Sequence, residues 1–126
     1  MCDCGDETRH WDLYVRDMIE FAENILSYTK GMDQEGFIAE TRTYDATLRN
    51  IELIGEAATH VPHDIREAHP EIEWRRIVAT RNRVAHGYLG IDDDVVWDVN
   101  QTDIPDLLFK LRDLLESRED DARQAE

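Results

Sequence analysis

Apolar side chains recur every three or four residues through most of this chain, the period of helices that bury one face. Trp11, Tyr14, Met18, Phe21, Ile25 and Tyr28 draw one stripe along a long helix predicted over Arg9–Lys30, and Gly31 is placed to end it. Asp33 has the position of an N-cap for a short helix carrying Phe37 and Ile38. A third helix is predicted from about Thr43 to Thr59, with Tyr44, Leu48, Ile51, Ile54 (or Gly55) and Ala58 facing inward and Pro62 closing it. His63–His69 reads as one or two turns stopped by Pro70. The next helix is predicted over Glu73–Ala85, with Trp74, Ile77, Val78 and Val84 on its apolar side and Gly87 just past its end. A segment over Asp93–Asn100 and another over Leu107–Leu115 follow, with Pro105 as a first-turn proline between them.

No stretch alternates as a strand does, and there is neither internal repeat nor low-complexity linker. The expected fold class is all-α, an up-and-down helical bundle. The 126 residues suffice for one domain with one core. The expected division is an acidic, disordered leader over 1–8, a helical domain over 9–116 and a polar, fraying tail over 117–126.

Charge changes the picture next. The chain carries net −15, with 29 acidic and 14 basic side chains. The window Trp74–Ile91 holds Arg75, Arg76, Arg81 and Arg83 and no acid, so the remainder stands at −19. A surface this acidic repels a polyanion, which confines any RNA contact to the arginine window. Twelve arginines against two lysines, with sixteen aspartates, resemble an adaptation to high salt, where screening mutes self-repulsion. No run reaches the length of a membrane span, and the start lacks the apolar region of a signal peptide, so a cytoplasmic protein without membrane association is expected. Cys2 and Cys4 form one Cys-x-Cys with no second pair to complete a zinc site.

Within the basic window, Arg81-Asn82-Arg83-Val84-Ala85-His86-Gly87-Tyr88 gathers a guanidinium, an amide, an imidazole and a phenol. Asn82 and His86, four apart, lie about 40° from each other around a helix, so the amide can orient the ring. Arg81 lies about 140° from His86. It reaches the histidine's side only if the last turn unwinds or a ligand lies across the helix end. Such a set can hold a phosphate and move a proton. On residue types alone, His86 is equally a cation at a helix C-terminus, the Arg–Asn pair a solvated face, and Tyr88 a packing residue.

The string Arg81-Asn82-x-x-x-His86-x-Tyr88 resembles the R-x4-H-x-Y signature of HEPN-superfamily toxins of the HepT type. The likeness continues in the block Arg49–Ala57, in Pro70-Glu71-Ile72-x-Trp74 and in Gly90-Ile91-Asp92, and covers about Trp11 to Leu115. It implies a HEPN-like bundle that pairs as a two-fold homodimer and acts as a metal-independent ribonuclease without cofactor. It also implies a partner, a MntA-type minimal nucleotidyltransferase antitoxin of a type VII toxin–antitoxin pair, that silences the toxin by AMPylation of the motif tyrosine. Carried over, Arg81 and His86 are catalytic, Asn82 supports them, and Tyr88 is modified. Arg75, Arg76 and Arg83 are expected to bind RNA phosphate. Cleavage would use the RNA's own 2′-OH, which needs a base, an acid and a cation for the extra negative charge. A two-fold dimer would set two copies of the motif together and could supply both acid and base.

Arg49 and Glu56 are expected to form a buried ion-pair network bracing the motif helix. His60, His63 and His69 have the density of a metal site but read as solvated loop histidines, and Asp92-Asp93-Asp94 as a charge cluster starting a helix. Two other classes stay open on sequence: a non-catalytic subunit binding substrate or nucleotide for a nucleotidyltransferase, and a purely structural bundle, which leaves the acid-free window unexplained.

Overall fold

The computed structural model describes residues 10–86 and 92–125, with side chains at 10–85 and 92–118. Every element is helical, and no strand occurs among the described residues. The elements are α1 (Trp11–Thr29), α2 (Gln34–Ala39), α3 (Thr41–Thr59), α4 (His63–Ala68), α5 (Trp74–His86), α6 (Asp93–Asp98) and α7 (Ile104–Ala125), with a wide π turn, Val99–Asp103, joining the last two.

Local chemistry sets most of the boundaries. After α1 the chain turns at Gly31, whose φ of +77° is left-handed backbone that glycine adopts without a Cβ clash. The Asp33 carboxylate then accepts from the Gly36 amide at 2.8 Å and starts α2. Asp92 starts α6 in the same way, accepting from the Asp94 amide at 2.9 Å.

Three expectations need correction. The buried line of α1 runs through Val15, Met18, Ala22 and Ile25, so only Met18 and Ile25 of the expected stripe lie at its centre, and Tyr28 is exposed. α3 begins at Thr41, and its buried side includes the polar Thr47 and Asn50, while Tyr44 and Leu48 are half-buried. The gap expected before Pro105 does not exist. Backbone stays helical from Asp93 through Ala125, and Ile104 donates to the Val99 carbonyl five residues back. That wider turn gives room for a ring that would collide with a regular preceding turn. The backbone of 117–125 thus continues α7. Arg118 helps seat it, lying 5.6 Å from the Trp11 ring centroid and 4.0 Å from Asp12.

Burial gathers one contiguous core from α1, α3 and α7, including Met18, Ile25, Ile54, Leu111 and Leu114. α3 is the central element, with α1 on one side and α5 on the other, while α7 lies against α1. Asn50, buried in the α1–α3 seam, accepts from Asn24 at 3.3 Å and donates to the Ala46 carbonyl at 2.8 Å. Because α7 closes on α1 and α5 closes on α3, a groove of about 70 Å³ opens between α5 and α7. Its floor includes Ile51, Ile54, Ile77 and Leu107. At the far corner Phe37 packs on Tyr44 and Trp97, with centroids at 5.2 and 5.5 Å, and Tyr44 donates to Asp93 at 2.6 Å. Gln34 reaches Asp94 there as well. These contacts tie the start of α6 to α2 and α3.

Candidate active site

α5 carries the basic window because its two sides are chemically distinct. Trp74 is buried, and Ile77, Val78, Val84 and Ala85 are half-buried against the bundle. Arg75, Asn82 and Arg83 are exposed. On helical geometry Arg75, Asn82 and position 86 fall within about 40° of one another, so the outer face of α5 presents them as a single row. Neither Arg75 nor Arg83 has an ion-pair partner among the described residues. Arg76 lies within about 20° of Arg83 around the helix, but it is engaged by carboxylates: it pairs with Glu73 at 3.4 Å and with Asp103 at 2.8 Å, tying α5 to the π turn. Burial pushes the Asp103 carboxyl above its ordinary range, and the nearby Arg76 only partly offsets that.

Arg81 occupies the flank of α5 that meets α3. A Cβ added to Gly55 would stand 2.1 Å from the Arg81 Cβ and 2.6 Å from its Cγ, so the arginine's stem fills the space that glycine leaves. The guanidinium then emerges at the edge of the seam, where Nη2 donates to Glu56 Oε2 and Nη1 donates to Asn82 Oδ1 at 2.8 Å. Its side chain is 29% exposed. The α-helix holds through His86, so the last turn does not unwind before the histidine. Instead the long arginine side chain reaches round the helix to the asparagine, whose position is one turn before residue 86. The structure thereby joins Arg81 to Asn82 and sets the backbone of His86 beside them. The His86 side chain lies outside the described residues, as do Tyr88, Gly87, Gly90 and Ile91, and the leader with Cys2 and Cys4.

The expected Arg49–Glu56 network is not formed. Arg49 is 66% exposed and pairs with Glu52 at 3.2 Å, one turn along its own helix. Glu56 alone braces α5, through Arg81, and it is half exposed rather than buried. Seven-residue spacing put both on one face, but the approach of α5 at Gly55 selects the residue next to the glycine.

Glu56 has a second neighbour that sequence reasoning missed. Its Oε1 lies 3.8 Å from His60 Nε2, and the His60 ring stacks on Tyr14, with centroids 4.8 Å apart and planes at 16°. The four-residue spacing of Glu56 and His60 was the available signal. His63 and His69 pair separately, with Glu67 at 2.8 Å and Glu71 at 3.2 Å. Among the described residues no group of three His, Cys, Asp or Glu is placed to hold a metal ion, and no helix is long and apolar enough to cross a membrane.

A helical bundle that displays an arginine–asparagine pair one turn before a histidine has the framework of a HEPN-superfamily ribonuclease. The family model described as "Ribonuclease HepT-like" matches residues 18–114, and the chain belongs to that family. It is 37% identical over 101 residues to a probable ribonuclease HepT of Thermococcus cleftensis, covering 80% of this chain and 92% of that one. A candidate RNase of Methanocaldococcus jannaschii is 31% identical over 107 residues, covering 85% and 92%. A second from the same organism is 34% identical over 94 residues, covering 75% and 78%. No solved structure matches the chain.

Proposed function

We propose that this protein is a metal-independent endoribonuclease, the toxin of a HepT/MntA-type pair, in which Arg81 and His86 carry the chemistry and Tyr88 is the site of silencing by AMP transfer. The observation that supports this most directly is the Arg81 fork, bonded to Asn82 Oδ1 at 2.8 Å one turn before His86. A guanidinium at that edge can take two oxygens of a phosphodiester. An imidazole one turn on can exchange protons near neutral pH. Those two groups cover charge stabilisation and proton transfer for attack by a neighbouring 2′-OH, and that reaction needs no other cofactor.

Arg75 and Arg83 extend the cationic face along α5, so the RNA strand runs along the outer side of that helix, with Arg76 diverted to its own carboxylates. A two-fold dimer sets two such faces side by side. AMP on the Tyr88 phenol adds bulk and a phosphodiester charge in the sequence next to the histidine, which blocks the seat of the RNA phosphate. The partner that installs it is a MntA-type nucleotidyltransferase, and the pair works in the cytoplasm.

The test is product chemistry. Purified protein incubated with RNA in a chelator is expected to leave 2′,3′-cyclic phosphate ends and to spare the same sequence made with 2′-deoxyribose. Arg81→Ala and His86→Ala are expected to abolish cleavage. Cutting of the deoxy substrate, or normal cutting by Arg81→Ala, rules the mechanism out. Co-expression with a MntA-type enzyme, followed by intact mass and peptide mapping, tests modification at Tyr88.

A further inference from the structure

α5 and α7 are not packed on each other along the bundle. α5 leans on α3, while α7 is held to α1, with Arg112 on Glu23 at 2.7 Å and Arg118 at 4.0 Å from Asp12. The seam left between them is the groove of about 70 Å³, with Ile77 and Leu107 in its floor. Its walls run from Glu73 to Thr80 on one side and from Asp103 to Lys110 on the other, about 10 Å each along a helix axis. Pockets that hold a drug-sized ligand start at about 300 Å³, so this one takes side-chain tips and not a nucleotide. A ridge of apolar residues at i, i+4 and i+7, with which an amphipathic helix enters such a groove, covers the same length of about 10 Å.

The rim decides the charge of the occupant. Glu73, Asp103 and Asp106 line it, and the charges of Asp98 and Glu71 reach it as well. Against them stand Arg76 and Lys110, each already held by a carboxylate, Arg76 by Asp103 and Lys110 by Asp106, both at 2.8 Å. A second copy of this chain brings the same acidic rim and a net charge of −15, and RNA brings phosphates, so both are repelled. The acidic leader of the chain offers no apolar ridge. A helix with cations beside its ridge is attracted.

We propose that the α5–α7 groove is the docking site for a basic amphipathic helix of a partner protein, its apolar ridge seated on Ile77 and Leu107 and its lysines or arginines meeting Glu73 and Asp106 at the rim. The surface is distinct from the motif. Around α5, Glu73, Ile77 and Thr80 lie about 140–180° from Asn82, so the docked helix sits behind the motif row and leaves Arg81 and Asn82 uncovered. The inference therefore stands apart from the ribonuclease reading, and neither falls with the other.

The experiment titrates the full chain with a synthetic helical peptide that carries leucine at i, i+4 and i+7 between lysines, and maps the backbone amide shifts by NMR. Shifts are expected on the two walls, at Ile77, Thr80 and Leu107, with Asn82 and Arg83 unmoved. Asp106→Lys, at the exposed rim, is expected to weaken the peptide about tenfold or more, and Thr80→Trp, which plugs the groove, to do the same. Asp17→Lys makes the same change of charge on the exposed side of α1 and is expected to alter binding by less than about twofold. A peptide with glutamates for lysines, or with its leucines spread around the helix, is expected to bind about tenfold more weakly or worse. Equal losses from Asp17→Lys and Asp106→Lys, shifts scattered over the acidic surface, or full binding by the respaced peptide overturns the proposal. So does a folded Thr80→Trp protein of smaller oligomeric mass, which assigns the groove to a second copy. Displacement of the peptide by a short oligoribonucleotide assigns it to RNA and overturns the proposal too. Should Thr80→Trp fail to fold, Asp106→Lys against Asp17→Lys decides alone.

Discussion

Gly55 and Arg81 occupy the same point in the bundle: the space where a Cβ on the glycine would sit is taken by the Cβ and Cγ of the arginine, 2.1 and 2.6 Å away. The Ile77 carbonyl, 3.4 Å from that position, closes the other side. The catalytic arginine of the proposed mechanism is thus also a packing residue of the α3–α5 seam. Gly55→Ala is expected to push the two helices apart at a cost of about 1–3 kcal/mol, the usual range for overpacking. Thermal melts should show the loss, and RNA cleavage should fall further than stability because Arg81 loses its seat.

Glu56→Gln separates positioning from stability. The ion pair it breaks is 29% exposed on the arginine side and 50% on the glutamate side, so solvent screening limits its contribution to about 1 kcal/mol or less. Folding should survive nearly unchanged. Cleavage should drop by about tenfold or more, which corresponds to ~1.4 kcal/mol of lost transition-state stabilisation. Equal urea midpoints beside unequal kcat/KM values would confirm that distinction. Equal activities would show that Arg81 finds its place without the carboxylate.

Tyr44 gives a pH dependence. Burial, then the hydrogen bond to Asp93, then the neighbouring charges of Asp93, Asp45 and Asp92 all raise its phenol above the ordinary value of 10. In the unfolded chain the phenol ionises near pH 10; in the folded chain it keeps its proton to higher pH. Above pH 10 the folded state therefore binds more protons, and stability falls as pH rises. The contribution is fully present below pH 10. Tyr44→Phe should flatten this alkaline limb, measured as the urea midpoint between pH 8 and 11, and an unchanged slope would assign it elsewhere.

Asn100 is fully buried in the π turn, and neither its Nδ2 nor its Oδ1 has a hydrogen-bond partner among the described residues. An unsatisfied amide in an apolar setting costs about 1–3 kcal/mol. Asn100→Leu, of similar shape, is expected to raise the melting temperature. A fall would show that the amide meets a partner in solution, such as an ordered water.

What the sequence makes legible here is punctuation and periodicity. Gly31, Asp33 and Pro62 act through their own backbone or the next few residues, so their meaning survives without a tertiary context. The long helices α1, α3 and α5 follow from three- and four-residue spacing for the same reason. Pro105 reads as a break because a π turn has no comparable local code. The partner of Glu56 was less accessible still. Arg49 shares its helix face, whereas Arg81 is 25 residues away and becomes its neighbour only where α5 meets α3 at Gly55. His60 reads as a loop histidine, since nothing near it in sequence indicates that Tyr14 stacks against it. The motif itself is visible in the sequence, but which carboxylate attends it depends on how α3 and α5 come together.

The π turn has one more consequence. Five residues, Val99 to Asp103, carry the helix across Pro105 between α6, clamped through Asp93 and Asp94, and α7, whose leucines enter the core. Removing one of them would close the Ile104–Val99 bond to the four-residue spacing of a regular α turn and take away the room that the Pro105 ring uses, so the ring would collide with the preceding turn. Gln101 and Thr102 are exposed and tolerate exchange, but the length of that stretch does not, so a single-codon deletion there should be far more damaging than any substitution at either site.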